Sequence, residues 1–492
     1  MAISSPAHER TVLQPVFDYI DQHADEFVER LRTLCRQPSV SAQKIGRLET
    51  ADMVERMARD VGAQTERIEL QGGPPIVYGV IPGSGPRRLQ LYDHYDVQPP
   101  EPLDLWRFEP FAADIADGRI WARGVSDNKG NLVARLCAIE AYQQTLGQLP
   151  LTISLVFEGE EEVGSPHLRQ FTNSARGQEL LAADACIWEA GYKDPAGRPS
   201  IALGCKGILY VELRVRSASK DLHSSWGAAV PNAAWRLTWA LSTLKDANSE
   251  RVLIPGFYDR VQPPSDRLLA LADREPFDVS EYQRLFGTSG FLHGWDGREA
   301  RRHYLFDPTC TVCGLSSGYQ GTGGKTVLPA KAFAKVDFRL VPDQDPDEIL
   351  SLLRTHLSQQ GFSDVEVVEV EGEGERAARS DPDAPIVAAV VDTARELYGL
   401  EPLVLPNMAG TGPQYLLCAQ FGVPAIGMGV GNADSNNHAP NENILIADYI
   451  EGIKHAAWLF LRYSTPSPSG RGLGRGPVRI PHSPSGRGFI KG

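Results

Sequence analysis

Long apolar runs are missing from this 492-residue chain. No uncharged apolar stretch is long enough to cross a bilayer, so no membrane partner is expected. An excess of positive charge is missing too. The balance of 49 basic against 62 acidic residues leaves a net charge of −13, which argues against a nucleic-acid partner. Cysteine is scarce and odd in number: Cys35, Cys137, Cys186, Cys205, Cys310, Cys313 and Cys418 are scattered, a pattern of buried free thiols in a reducing compartment rather than of a disulfide framework. The first ten residues have no basic segment leading into an apolar run, so no secretory signal is read there and a cytoplasmic location is the expectation. What is present is an ordinary globular composition, 42% hydrophobic and 23% charged, in a chain long enough for two domains.

Apolar periodicity orders the chain. Phe27, Val28, Leu31, Leu34 and Cys35 share one helical face and are read as the first helix, ended by Gln37-Pro38. Met53, Val54, Met57 and Val61 make a second helical pattern that stops at Gly62. Strand-like runs follow at residues 76–81, 89–92, 151–157 and 186–188, with a helix through Leu132, Leu136, Ile139 and Tyr142 between them. Helices alternating with buried strands indicate an α/β layer fold. From about Lys206 the texture changes: residues 209–216 and 332–340 alternate apolar with polar, as half-exposed antiparallel strands do. The α/β pattern resumes near Ala384. The expected organisation is therefore an α/β domain with a three-layer mixed sheet in two parts, 1–205 and 381–465, an inserted α+β domain over 206–380, and a tail at 466–492. The tail repeats Ser-Pro-Ser-Gly-Arg-Gly, has no acid and little apolar content, and is expected to be disordered.

Metal-binding side chains recur just past the apolar strands. They are His94 and Asp96, Asp127, Glu161-Glu162 within Glu158-Gly-Glu-Glu-Glu-Val-Gly-Ser165, Glu189, and His438. Imidazole and carboxylate suit borderline cations, and a carboxylate can bridge two of them. Asp96 lies two residues from His94, where it can hold the ring by its second nitrogen. Adjacent carboxylates after a buried strand repel, so one can ligate metal while its neighbour takes a proton from activated water. Singly, each residue also has a plain reading: a buried hydrogen-bonded histidine, a helix cap, an acidic loop in solvent.

In combination, the phrases His94-Tyr-Asp-Val-Gln-Pro99, Gly124-x-x-Asp127-Asn-Lys-Gly130, Glu160-Glu-Glu-Val-Gly-Ser165, Asp221-Leu-His-Ser224, Lys325-Thr-Val-Leu-Pro329, Phe338-Arg-Leu-Val-Pro342 and His438 resemble the co-catalytic zinc metallopeptidase family of carnosinase-like dipeptidases, aminoacylase, acetylornithine deacetylase and succinyl-diaminopimelate desuccinylase. The resemblance runs from about residue 11 to 463. It implies one ion held by His94 and Glu189, another by Glu162 and His438, and Asp127 bridging them. It further implies Glu161 as general base, Asp96 as support for His94, and His223 reaching a partner subunit's site in a homodimer. Arg339 is implied as a carboxylate anchor; Asn232 is a further candidate substrate contact, and Gly410 and Thr411 could offer backbone and hydroxyl contacts to a carboxylate. The ions implied are zinc, with manganese or cobalt as alternatives.

The sequence departs from the family at three places. Asp93 replaces the usual glycine and puts negative charge behind the metal site. Glu189 stands where dipeptidases often carry aspartate. Asn407-Met-Ala-Gly-Thr-Gly-Pro413 replaces an Arg-Glu-Gly-Gly-Ser pattern. A dipeptidase is the leading reading, an N-acyl-amino-acid deacylase the alternative, and a non-catalytic metal-binding protein the distant third. Cys310-Thr-Val-Cys313 lacks a second pair, and its two thiols on a strand face opposite ways, so it is not read as a zinc site.

Overall fold

The computed structural model describes residues 6–275, 277–408 and 410–464, and the expected disordered tail lies outside them. Six strands form the central sheet in the order Gln64–Ile68, Ile76–Ile81, Thr152–Glu158, Arg88–His94, Ala185–Trp188, Ala425–Gly427. The first two pairings are antiparallel, and the last four strands run parallel. Strand alternation explains how such apolar runs pack on both sides. Leu89, Leu91, Ile153, Leu155, Phe157 and Ile187 enter one core with the helices Lys129–Leu146, Pro6–Gln22 and Ile446–Ser464. Tyr92, Val156, Cys186 and Trp188 point the other way, into a second core with Leu168, Phe171 and Leu417. This is the expected three-layer mixed-sheet architecture.

A second sheet is wholly antiparallel, in the order Thr311–Ser317, Lys331–Leu340, Gly207–Arg216, Glu366–Glu375. Leu209, Val211, Leu213 and Val215 face Ala334, Val336 and Phe338 in a separate core, closed by the helices Ala233–Ser242 and Pro346–Gln359. Residues between them along the strands, such as Phe333 and Lys335, are exposed. Where the chain enters and leaves this sheet, Gly204–Cys205 pairs antiparallel with Ala378–Arg379, so both crossings lie side by side.

The helix at the start of the described chain is among those not read from the sequence. Pro6–Gln22 precedes the expected first helix and buries Leu13, Val16, Phe17 and Ile20. Its interior Pro15 reads as a helix breaker. Packing decides otherwise: Glu9 is buried and accepts hydrogen bonds from Trp458 Nε1 at 3.0 Å and Arg462 Nε at 2.7 Å on the terminal helix.

Candidate metal centre

The parallel strands all end on one side of the central sheet, the usual place for a site in such folds. His94 is the last residue of its strand. Glu161 and Glu162 sit in a short turn three and four residues past Glu158, and Glu189 directly follows Trp188. Asp127 lies two residues before helix Lys129–Leu146, and His438 sits in the loop beyond Ala425–Gly427. That loop turns on left-handed backbone at Asn436, His438 and Asn441, with φ of 55°, 61° and 65°. Asparagine tolerates this conformation better than most residues.

The side chains converge. His94 Nε2 faces Glu189 Oε2 at 2.8 Å and Asp127 Oδ1 at 3.1 Å. His438 Nε2 faces Glu162 Oε2 at 3.1 Å and Asp127 Oδ2 at 3.2 Å. The two oxygens of Asp127 are therefore turned to different imidazoles, each of which has a carboxylate of its own. Glu161 Oε2 is 3.9 Å from His94 Nε2. Two sets, His94 with Glu161 and Glu189, and His94 with Asp127 and Glu162, each bring their ligand atoms within 4.8 Å of one another. His94 is fully buried, whereas the His438 side chain is 55% exposed, so the cluster opens to solvent on the His438 side.

Ring tautomers follow from the outer contacts. His94 Nδ1 lies 3.0 Å from the backbone carbonyl of Asp96, so it carries the proton and leaves Nε2 free to ligate. The Asp96 carboxylate was expected to make that contact. Its Oδ1 stands farther off, at 3.4 Å, and both its oxygens instead accept the N–H groups of Glu161 and Glu162, at 3.2 and 3.1 Å. Asp96 thus orients the acidic turn as well as the ring.

The electrostatics fit cations. Burial pushes Glu161 well above the usual carboxylate range, and the charges of Glu189, Glu162 and Asp127 push it further. Glu162 is pushed up to about 7, by burial first and then by Asp127. Burial opposes charge on Asp127 as well, yet its contacts with His438 and His94 hold it well below the usual range. His438 is raised to about 10 by its contacts with Asp127 and Glu162. Burial works against charge on His94, but Glu189, Asp127 and Asp96 outweigh it and raise the ring's pKa. Protons and cations compete for these atoms. One buried oxygen, Glu162 Oε1, has no hydrogen-bond partner among the described residues, as an atom reserved for a cation would. The donor set, two imidazoles among carboxylates, suits zinc, manganese or cobalt.

The other expected residues lie as follows. Arg339, on the second sheet, donates from Nη1 to Thr411 Oγ1 at 2.8 Å and pairs through Nε with Asp337 at 3.1 Å. Next along that loop, a β-carbon on Gly412 would lie 3.3 Å from Glu161 Oε1, so Arg339, Thr411 and Gly412 form a path to the acidic turn. Gly410 accepts the Lys206 N–H at 3.0 Å through its carbonyl. Asn232 caps helix Ala233–Ser242, its Oδ1 accepting the N–H groups of Ala234 and Trp235. His223 is exposed and contacts Ser225 and Thr326 rather than the cluster of its own chain. Cys310 is buried and Cys313 exposed, each free.

Sequence reasoning missed several supporting residues. Gln98 donates to Glu162 Oε2 at 2.9 Å, Asn437 donates to Asp127 Oδ2 at 3.3 Å, and Asn128 donates to Glu189 Oε2. The charge that Asp93 places behind the site is met by Arg135, 2.8 Å away and equally buried. Burial pushes Asp93 up to about 7 against the pull of that guanidinium. Arg135 also donates to the carbonyls of Tyr92 at 2.6 Å, Trp188 at 2.7 Å and Met428 at 3.0 Å, all at the ends of site-bearing strands. Gln98 and Asn128 stand inside the motifs read from the sequence, which was their one signal; Arg135 looked like any helix residue.

Comparison with known proteins adds a family to this geometry. The model for peptidase family M20/M25/M40 matches residues 90–461. The chain is 28% identical to the Cys-Gly metallodipeptidase DUG1 of Candida albicans over 92% of its own length and 97% of the relative's. It superposes on the M20 family metallo-carboxypeptidase Sso-CP2 from Sulfolobus solfataricus with a TM-score of 0.84 and 40% identity, covering 89% of this chain and 99% of that one. Human carnosine dipeptidase 1 superposes with a TM-score of 0.73 and 26% identity, covering 92% and 99%.

Proposed function

The chain belongs to peptidase family M20/M25/M40, and on that premise we propose that it is a dinuclear metal-dependent dipeptidase acting on small substrates with a free carboxylate. The observation that carries this reading is Asp127, whose two oxygens face two imidazoles, each with a second carboxylate. His94 and Glu189 would hold one divalent cation, Glu162 and His438 the other, and Asp127 both. Zinc is the first choice, with manganese and cobalt chemically equivalent candidates. When bound, such ions supply the positive charge that acidifies water and polarises the scissile carbonyl.

The protein's own groups do the rest. Glu161 takes the proton of the attacking water and returns it to the leaving amine, a task suited to a carboxylate whose pKa is raised. Arg339, steadied by Thr411, receives the substrate carboxylate, with Gly410 offering backbone contacts and Asn232 a contact from the second sheet's unit. His223 Nδ1 accepts the Ser225 N–H at 3.2 Å, which leaves Nε2–H as the ring's donor, 3.4 Å from Thr326 Oγ1 within its own chain. From a second copy of the chain it would meet the developing oxyanion. The unit over 206–380 would then serve both as lid and as dimer contact. Two features support a second copy. Trp235 and Trp239 form a stacked, exposed pair on helix Ala233–Ser242, and strand Thr311–Ser317 is a sheet edge with Val312 and Leu315 exposed. A cytoplasmic setting is supported by seven cysteines that are all free.

A second reading, release of C-terminal residues from longer peptides, is favoured by the likeness to the Sulfolobus metallo-carboxypeptidase. Assays with zinc, manganese or cobalt on unblocked dipeptides, N-blocked dipeptides, and N-acetyl or N-succinyl amino acids separate these activities. Fastest turnover is expected on unblocked dipeptides. Preference for N-blocked dipeptides would install the second reading, and preference for N-acyl amino acids would make the protein a deacylase.

A further inference from the structure

Glu442 is fully buried, four residues beyond His438, and its carboxylate is wrapped by the loop that ends in Asp127. Oε2 accepts the Gly124 N–H at 2.8 Å and Arg123 Nη1 at 2.9 Å. Oε1 accepts the Ser126 N–H at 2.9 Å and the Asp127 N–H at 3.0 Å. The Glu442 carbonyl also accepts the Ala122 N–H at 3.1 Å. Three backbone donors from one tight loop aimed at one carboxylate make an anion nest, and Arg123, 1% exposed, supplies the countercharge. Burying an ionised carboxylate is costly unless it is paired and hydrogen-bonded, and here all its partners come from the loop carrying the bridging residue.

We infer that Glu442 is a positioning residue for the metal centre, setting the backbone of Asp127 from the same loop that carries His438. This rests on the reading of Asp127 and His438 as ligands. One side chain thereby couples two ligand-bearing loops: moving it shifts the carboxylate between the imidazoles and the imidazole on the solvent side together. Glutamine at this position keeps the shape but turns an amide N–H₂ toward backbone donors, so at least one of the contacts to Gly124, Ser126 or Asp127 becomes a repulsion. Arg123→Met removes only the side-chain donor and leaves the three amide contacts in place.

The test is a titration of metal-free full-length protein with cobalt(II) alone, followed by visible absorption. Glu442→Gln is expected to weaken cobalt affinity by roughly 10- to 100-fold and to alter the spectrum, the range typical for groups behind metal ligands. Arg123→Met, which removes the countercharge but keeps the three amide contacts, should weaken affinity clearly less than Glu442→Gln does, in contrast to a role in general packing, where both variants would fail in parallel. Wild-type affinity and spectrum in Glu442→Gln would overturn the inference. Asp127→Asn and His438→Ala, titrated alongside, test the premise separately: normal cobalt binding in these would remove the ligand assignment itself. Should Glu442→Gln not fold, hydrogen exchange on the wild-type protein decides. The peptide spanning 122–128 must be protected without metal, and exchange as fast as in the exposed 321–324 loop would overturn the proposal.

Discussion

Glu161 and Glu162 are neighbours in sequence and identical in chemistry, yet the turn that holds them gives them different surroundings. Glu162 reaches His438 and Gln98, while Glu161 is turned to His94 and Gly412. That division predicts that Glu161→Gln lowers kcat by roughly 10²- to 10⁴-fold while both metals remain bound, checked by steady-state kinetics beside metal analysis. Loss of metal in step with activity would make Glu161 a ligand instead. Arg339→Met is expected to raise KM about tenfold or more with a smaller effect on kcat, since a substrate-binding guanidinium acts before the chemistry. At this scale the sequence was most legible, because imidazoles and carboxylates after buried strands are rare and chemically specific. Arg135, Gln98 and Glu442 were not, since their worth depends on which carbonyls, amides and ligands the fold brings to them.

Among the elements, the strand ends were readable and the packing between helices was not. The apolar runs at 89–92, 151–157 and 186–188 all became central strands, because both faces of a parallel strand must be covered. Their order in the sheet, with Thr152–Glu158 and Ala185–Trp188 flanking Arg88–His94, depends on contacts far apart in sequence. Helices Pro385–Tyr398 and Ile446–Ser464 meet at His455, which is buried, bonded to Thr393 Oγ1 at 3.0 Å and edge-on to Tyr398. Burial lowers its pKa to about 4. Above the unfolded value near 6.5 both states are neutral and nothing depends on pH. As pH falls from there toward about 4, only the unfolded chain takes the proton, so stability is lost; below that both are charged and the loss stops. Denaturant titrations at pH 7 and pH 5 should show the wild type losing about 2 kcal/mol more than His455→Gln. Equal losses would mean the ring is protonated in the fold.

For the molecule as a whole, the open question is what lies across from His223. A single chain leaves it exposed and away from its own cluster, and the resemblance assigns it to a partner. If sites are shared, inactive His223→Ala and Glu161→Gln proteins mixed and re-equilibrated should recover activity, since some mixed dimers then hold one intact site. Recovery of none, with subunit exchange shown by native mass spectrometry, would confine the site to one chain. Trp235→Glu with Leu315→Glu should shift the protein toward monomer in light scattering and lower activity together with it. A monomeric wild type would end the shared-site reading.

The sequence by itself determined the chemistry and the layer class. Metal-type side chains spaced after buried strands allow few other readings, and period-two or period-3.6 apolar patterns dictate which faces must be covered. Only the tertiary structure decided that Arg135 answers Asp93 and that Glu442 grips the Asp127 loop. These are agreements between segments tens to hundreds of residues apart. Ligand geometry is set to tenths of an ångström by hydrogen bonds and packing that no local pattern encodes.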